Sequence, residues 1–329
     1  MSSLIRYGML AALTGLAVVG MFGCEDDDDV MNPTTLEPMF TRYVAIGNSI
    51  TAGVQSGGIN DSTQLEAFPA IVSAQMGLTV GTDFVLPLFA KPGCAPPIEN
   101  IFTLQRVGGG SGSDCGGLIG AAGVVHNVAV PGAKVIDGLS TTDPRSTPNP
   151  IASLIVGSQT QLDAAEAIQP TFVTVWLGAN DVLGAALTGD INLITPLDVF
   201  ESDFQALATR LDDMEVQGAL LIGVPQVLNI PNLSPGAAYW FAAQIAALPP
   251  TLTVAANCAD TQNGGAGETT LVPFGYGFGS LIAQATMGTA VTLDCVSDPE
   301  VVNTIEIVTI IGAIARFNTI IQRETQRRG

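Results

Sequence analysis

Histidine is nearly missing from this chain: its 329 residues include one, His126, and no Cys-x-x-Cys pair. A metal centre built from imidazoles and paired thiolates therefore lacks its ligands here. Basic side chains are scarce as well, 11 against 30 acidic ones, for a net charge of −19. A chain of that sign is repelled by phosphate backbones, which excludes nucleic acid as an expected partner. Part of the acidity is only the run Glu25-Asp-Asp-Asp-Asp29. Low complexity is absent too. The 37 glycines and 20 prolines mark many loops yet fall short of a collagen-like or low-complexity composition, and no internal repeat is visible. What remains is 47% hydrophobic, long enough for one large α/β domain with insertions or for two modest domains.

The N-terminus reads as an export signal. Arg6 is the single positive charge of residues 1–23, and residues 9–22 are apolar, relieved by Thr14 and two glycines. That stretch is short for a membrane span and the right length for a signal core. Gly23-Cys24 closes it, and the acidic run follows at once. The arrangement resembles a bacterial lipoprotein signal, although that class prefers Leu where Met21 stands and a small residue where Phe22 stands. The resemblance implies that Cys24 is acylated and becomes the mature N-terminus. A soluble domain would then hang on the acidic, proline-containing linker 25–40, anchored to the bacterial outer membrane or cell surface without spanning it. The other reading is an ordinary signal peptide whose cysteine is incidental. Export permits disulfides. With Cys24 set aside, Cys94, Cys115, Cys258 and Cys295 allow three connectivities. The most local, 94 with 115 and 258 with 295, would close one loop-rich insertion each.

Residues 42–46 are rich in β-formers and are broken by Gly47-Asn48-Ser49, which predicts a strand ending in a glycine-bounded turn that carries a serine. Helical spacing follows over 68–76. Residues 77–124 lack periodicity and are rich in turn residues, so they read as an insertion; Gly108-Gly-Gly-Ser-Gly-Ser113 within them is a flexible loop. Asn127-Val-Ala-Val-Pro-Gly132 predicts a second strand and its terminal turn, and 150–168 a helix. Residues 171–177, β-branched and aromatic without charge, predict a buried strand ending in Gly178-Ala-Asn-Asp181. A long amphipathic helix over 197–215 leads to a fourth strand at 218–223. Strands alternating with helices imply βαβ units and a parallel sheet, with right-handed crossovers placing helices on both faces. Residues 231–300 read as a second insertion. Its apolar stretch 237–248, carrying Trp240, either packs on the core or walls a substrate pocket. A closing helix spans 301–327.

A parallel α/β sheet binds ligands at the carboxyl ends of its strands, which makes Ser49 a candidate nucleophile. An activated serine needs exposure on a sharp turn, donors for an oxyanion, and a general base. Turns after the first three strands offer donors: the Ser49 N–H, the Gly132 N–H, which no Cβ obstructs, and the Asn180 amide. In this order the chain resembles the SGNH/GDSL hydrolases. Gly47-Asn-Ser-Ile50 stands where that family has Gly-Asp-Ser-Leu, Gly132 matches the second block, and Gly178-Ala-Asn-Asp181 matches Gly-x-Asn-Asp. The resemblance covers about residues 41–225 with long insertions, within a domain expected over 41–329. It implies a three-layer α/β/α sandwich with a flavodoxin-like parallel sheet of about five strands. It also implies a lipase or esterase working through a serine acyl-enzyme without cofactor, with Ser49 as nucleophile and Ser49, Gly132 and Asn180 forming the oxyanion hole. Small acyl esters, lipids and acylated saccharides all suit such a site. The apolar segment around Tyr239 and Phe241 tilts toward lipidic or aromatic acyl groups.

Two positions depart from the family pattern. Asn48 replaces Asp, which is tolerable because that side chain is not the attacking group. The C-terminal Asp-x-x-His block, source of the base, has no counterpart. His126 opens the strand that ends at Gly132, and at ~3.3 Å per residue that puts it roughly 20 Å from the glycine, at the opposite end of the sheet. The expectation is a sequence truncated before its last strand and base, weak or inactive as it stands, with Leu220-Leu-Ile222 left at an apolar edge. The rival expectation is a lipid-anchored binding protein that keeps the scaffold without catalysis. A phosphate loop at Gly47–Gly53 lacks the Gly-Lys-Ser/Thr ending, and Asp181 reads as a structural hydrogen-bonding residue.

Overall fold

The computed structural model describes residues 36–101, 103–119, 123–147 and 149–328. The export-signal segment, Cys24 and most of the 25–40 linker lie outside them. Three apolar runs build the central sheet. Tyr43–Gly47 (β1) pairs in parallel with Phe172–Trp176 (β2), from Tyr43 opposite Phe172 to Gly47 opposite Trp176. β2 pairs in parallel with Gly218–Leu221 (β3). Every residue of β1 is buried, which requires cover on both faces. The strand period of two divides its side chains. Val44 and Ile46 join Val173 and Val175 in the principal core, while Tyr43 and Ala45 meet Ala70, Phe84 and Leu86 on the other face.

Helices supply that cover. Ser49–Ala52 (α1) is a single turn off the end of β1, and Phe68–Gln75 (α2) packs through Ala70 on the second face. Gln161–Ile168 (α3), Asn180–Thr188 (α4) and Leu197–Asp213 (α5) bury their apolar stripes in the principal core, as does the last helix described below. Gly236–Gln244 (α6) belongs to the second insertion. Thr304–Arg328 (α7) closes the domain. α5 and α7 meet through Phe200 and Phe317, both buried, with ring centroids 3.8 Å apart and planes 10° from parallel. The expected helix over 150–168 is two helices, Pro150–Ile155 and α3. Thr160 restarts the second by accepting from Asp163 N–H, while the Asp163 carboxylate accepts from Thr160 N–H, a reciprocal cap that favours a new helix start at that position.

The strand expected at 127–132 lies beside β1 but is not a full ladder strand. Ala45 N–H donates to His126 O at 2.9 Å, Val128 N–H to Ala45 O at 2.9 Å and Val130 N–H to Gly47 O at 3.0 Å. Between the last two, the register calls for Gly47 N–H to donate to Val128 O, and that donor goes instead to Gln161 Oε1 at 2.9 Å. A side chain from α3 thus interrupts the ladder. The order 127–130, β1, β2, β3 is the 2-1-3-4 order of a flavodoxin-like sheet. Among the described residues nothing pairs with the outer edge of β3, where Leu220 is 52% exposed.

Both insertions carry a disulfide. Cys94–Cys115 staples the first and Cys258–Cys295 the second, the most local of the three connectivities. The second insertion has its own small core of Leu252, Val272, Leu281 and Leu293, against which Tyr239 and Trp240 of α6 pack. It pairs Leu233–Pro235 with Leu271–Pro273 and Leu252–Val254 with Val291–Leu293.

Candidate active site

Gly47 ends β1 because α1 folds back onto it: a Cβ there would lie 2.1 Å from Thr51 Oγ1. Asn48, 1% exposed, caps α1 by accepting the Ile50 N–H on Oδ1 at 3.0 Å. A carboxamide oxygen performs this capping as well as a carboxylate would, so Asn in place of Asp leaves the turn intact. Ser49 is the first residue of α1 and half-buried. Its N–H has no acceptor among the described residues, as expected of the opening N–H groups of a helix.

Gly132 sits in the turn after the 127–130 segment with φ +82°, a conformation open to glycine and strained for side-chain-bearing residues. Asn149 holds that turn from outside: its Nδ2 donates to Pro131 O at 2.5 Å and its Oδ1 accepts the Ile151 N–H at 3.0 Å. The Gly132 N–H also lacks an acceptor among the described residues. Asn180 opens α4 and is half-buried, and its Nδ2 donates to Ala133 O at 2.9 Å. An amide nitrogen carries two hydrogens, so one remains available. Gly47 is in register with Trp176 and its carbonyl is bonded to Val130. Ser49, Gly132 and Asn180 are therefore brought to the same, carboxyl end of the sheet.

Asp181 ties two of these turns together. It is 1% exposed, with Oδ2 accepting the Val135 N–H at 3.1 Å and Oδ1 the Thr195 hydroxyl at 2.8 Å. Burial pushes its pKa up to about 6, against those two hydrogen bonds, which lower it. Both oxygens are committed, so Asp181 braces the 132–135 turn against α4.

His126 lies at the other end of the sheet. Its Nδ1 accepts the Val85 N–H at 3.1 Å, its ring tilts against Phe84, and its carbonyl accepts from Ala45. Burial lowers its pKa, opposed by the Asp83 charge. From the Ala45 level to Ser49 is four residues, roughly 13 Å along a strand. Its placement matches the strand-start position read from the sequence, and it is not brought to Ser49. Among the described residues no group of three or more His, Cys, Asp or Glu side chains could hold a metal ion.

Beside Gly132 a cleft of about 460 Å³ opens between residues 140–147 with Asn149 and the 156–161 segment. Tyr239 and Phe241 are not among its lining. Tyr239 and Trp240 pack on the second insertion's own core, and Phe241 is 61% exposed. Of the two readings of 237–248, packing describes Tyr239 and Trp240, although the core they join is the insertion's. Sequence reasoning missed Gln161 and Asn149, which shape the turns of Ser49 and Gly132. The Thr160/Asp163 cap was a visible signal for the helix start, but nothing local signals that Gln161 reaches Gly47.

A family model described as GDSL-like Lipase/Acylhydrolase matches residues 43–269, a span that takes in all three turns. Neither the curated proteins nor the solved structures provide a match. With more than half of its length matched, and with a parallel α/β sheet carrying the serine turn, the chain belongs to the GDSL-like lipase/acylhydrolase family, a family of hydrolases with the SGNH α/β fold.

Proposed function

We propose that this hydrolase cleaves carboxylic esters through a serine acyl-enzyme. Ser49 Oγ attacks the ester carbonyl, and the carbonyl oxygen becomes an oxyanion held by the Ser49 N–H, the Gly132 N–H and the second Asn180 amide hydrogen. Collapse expels the alcohol and leaves the acyl group on Ser49; water then releases the acid and restores the hydroxyl. The observation that carries the reading is the presence of unpaired donors on Ser49 and Gly132 at the sheet end where Asn180 also stands. Fixed donors of this kind stabilise a developing oxyanion without reorganising.

The proton of Ser49 needs an acceptor, and among the described residues the one histidine is committed elsewhere. A positioned base contributes ~10²–10⁴-fold, so residues 1–329 are proposed to turn over slowly by about that factor. In the same reading the protein is exported and lipid-anchored to the bacterial cell envelope through Cys24, and it meets its ester there. The test is hydrolysis of a short-chain chromogenic ester by the folded domain, with Ser49→Ala as control. Slow hydrolysis lost in the variant supports the reading. Equal hydrolysis by both excludes Ser49 as nucleophile and leaves a surface binding protein on this scaffold. Membrane partitioning that persists in Cys24→Ala would remove the anchor from the proposal.

A further inference from the structure

We propose that Phe317 and Asn318, consecutive residues of α7, are positioning residues for the Asn180 donor, which they hold from two sides through the Gly178 turn. This rests on the reading of Asn180 as an oxyanion donor. Neither α7 residue touches substrate; both act through the backbone that carries Asn180.

The constraint begins at Gly178, which is buried with φ +110°. A Cβ there would lie 2.8 Å from Val224 Cγ2 and 3.2 Å from Phe200 Cε2 and Cζ. Carbon atoms pack best at ~3.5–4.0 Å, so position 178 is pinched between those two side chains and admits only glycine. The Gly178 carbonyl accepts the Asp181 N–H at 3.2 Å. That bond ties the turn to the start of α4, whose first residue is Asn180. A shift of Val224 or Phe200 is thereby passed to the Asn180 amide.

Both walls of the pinch are held from α7. Phe317 stacks on Phe200 with ring centroids 3.8 Å apart. Asn318 takes the other wall: its Oδ1 accepts the Val224 N–H at 2.7 Å and its Nδ2 donates to Val224 O at 3.0 Å. The β3 ladder carries on to the Ile222 N–H, which donates to Val175 O at 2.9 Å. Two residues further on, Val224 is 4% exposed, and buried backbone groups need partners. One carboxamide, with a donor and an acceptor side by side, satisfies both groups of a single residue. Consecutive helix residues point ~100° apart, which lets one helix reach both walls. The ring stack by itself is ordinary core packing. Its junction with a polar clasp on the next residue, both converging on Gly178, gives α7 a role at the site.

The test is a double-mutant cycle on hydrolysis of p-nitrophenyl acetate, with Asn318→Leu and Phe317→Leu each made in the parent and in Asn180→Ala. In the parent each is expected to lower kcat ~10-fold, short of the ~10²–10³ lost with an oxyanion donor itself, with KM changed less than twofold. In Asn180→Ala the same substitutions should change kcat less than twofold, because effects that run through one shared partner do not add. Ile310→Val controls for lost stability. That residue is buried on the same helix, eight positions or about 12 Å from Asn318 at ~1.5 Å per residue. Assayed well below its melting temperature, it should leave kcat unchanged. Additive losses, a fall in the control as large as in Asn318→Leu, or no fall in either α7 variant would overturn the proposal. A second measurement needs no turnover, and it alone decides the clamp if hydrolysis by the parent is too slow to follow. The side-chain NH₂ signals of Asn180 in amide NMR spectra, assigned by their loss in Asn180→Ala, should move in Asn318→Leu and stay in Ile310→Val. Signals that stay in both, or move equally in both, overturn the clamp. If Asn180→Ala hydrolyses the ester as fast as the parent while its signals in the parent chain still respond to Asn318→Leu, the oxyanion reading falls and the clamp stands.

Discussion

At the amino end of the sheet polar groups find partners: Tyr43 Oη meets Thr174 Oγ1 at 2.8 Å, Arg42 N–H donates to Thr171 Oγ1 at 2.9 Å, and Val85 N–H donates to His126 Nδ1 at 3.1 Å. At the carboxyl end, Ser49 and Gly132 keep N–H groups without acceptors among the described residues. Behind the serine turn, Asn48 Nδ2, Thr51 Oγ1 and Gln161 Nε2 are buried and unpartnered as well. An unsatisfied buried polar group costs about 1–3 kcal/mol, so a fold optimised only for stability would not gather them in one place. Of the five buried side-chain atoms without a partner among the described residues, three lie behind this one turn, the others being Gln226 Oε1 and Thr270 Oγ1.

The largest expected effect is on the carboxyl end itself. Ser49→Ala should bring ester hydrolysis to the uncatalysed background while leaving the melting temperature within a few degrees. Asn180→Ala should lower kcat by ~10²–10³, as loss of one oxyanion donor does, with KM little changed. Steady-state kinetics on a chromogenic ester check both. A drop in KM-controlled binding alone would mean that Asn180 only holds Ala133 in place.

Asp181 sharpens the contrast through pH. Its folded pKa, about 6, lies above the unfolded ~3.9. Its stabilising contribution is therefore full below the unfolded value and lost as pH rises through about 6. A shift of about two pH units corresponds to on the order of 3 kcal/mol. Denaturant unfolding of the parent and of Asp181→Asn should show a gap that is widest near pH 4 and narrows by up to that amount toward pH 7. A gap that widens instead would mean that the buried carboxylate is stabilised as the anion. Gln161→Leu is expected to cost ~1–3 kcal/mol, because the Gly47 N–H loses its acceptor inside the core. It should also lower kcat by misplacing the Ser49 turn. A variant whose strand repairs itself, with Gly47 N–H reaching Val128 O, would restore stability and break the link between Gln161 and the turn.

How much of this was legible in the sequence follows from the range of the interactions. β1, β2 and β3 were readable because their apolar, β-branched runs encode burial locally, and the turns at Ser49, Gly132 and Asn180 follow strand ends. The 127–132 strand was over-read. Its composition is that of a strand, but a glutamine 34 residues after Asn127 intercepts a bond in the middle of the ladder. The break at 156–160 was partly visible in the Thr160/Asp163 cap. The partnership of Asp181 with Val135 and Thr195 was not, since it joins segments whose proximity only the folded sheet creates. For the Tyr239–Phe241 segment the two readings, packing or pocket wall, could not be separated for a related reason: apolarity is visible in sequence, whereas the core that Tyr239 and Trp240 join is not.

The smallest expected effect is at the amino end. His126→Leu removes the acceptor of the Val85 N–H and should cost about 1 kcal/mol, with ester hydrolysis changed less than twofold. Burial depresses the histidine pKa, so its contribution is present above the unfolded value of ~6.5 and is lost as pH falls through the lower folded value. The stability gap between parent and His126→Leu should therefore close on acidification below the unfolded value of ~6.5, the opposite direction to Asp181. Paired unfolding curves at pH 5 and 8 measure it. A fall in hydrolysis of the ~10²–10⁴-fold size expected for a lost general base would overturn the division between the two ends. It would require His126 to reach Ser49 from roughly 13 Å away along the sheet, a movement that the Val85 and Ala45 hydrogen bonds oppose.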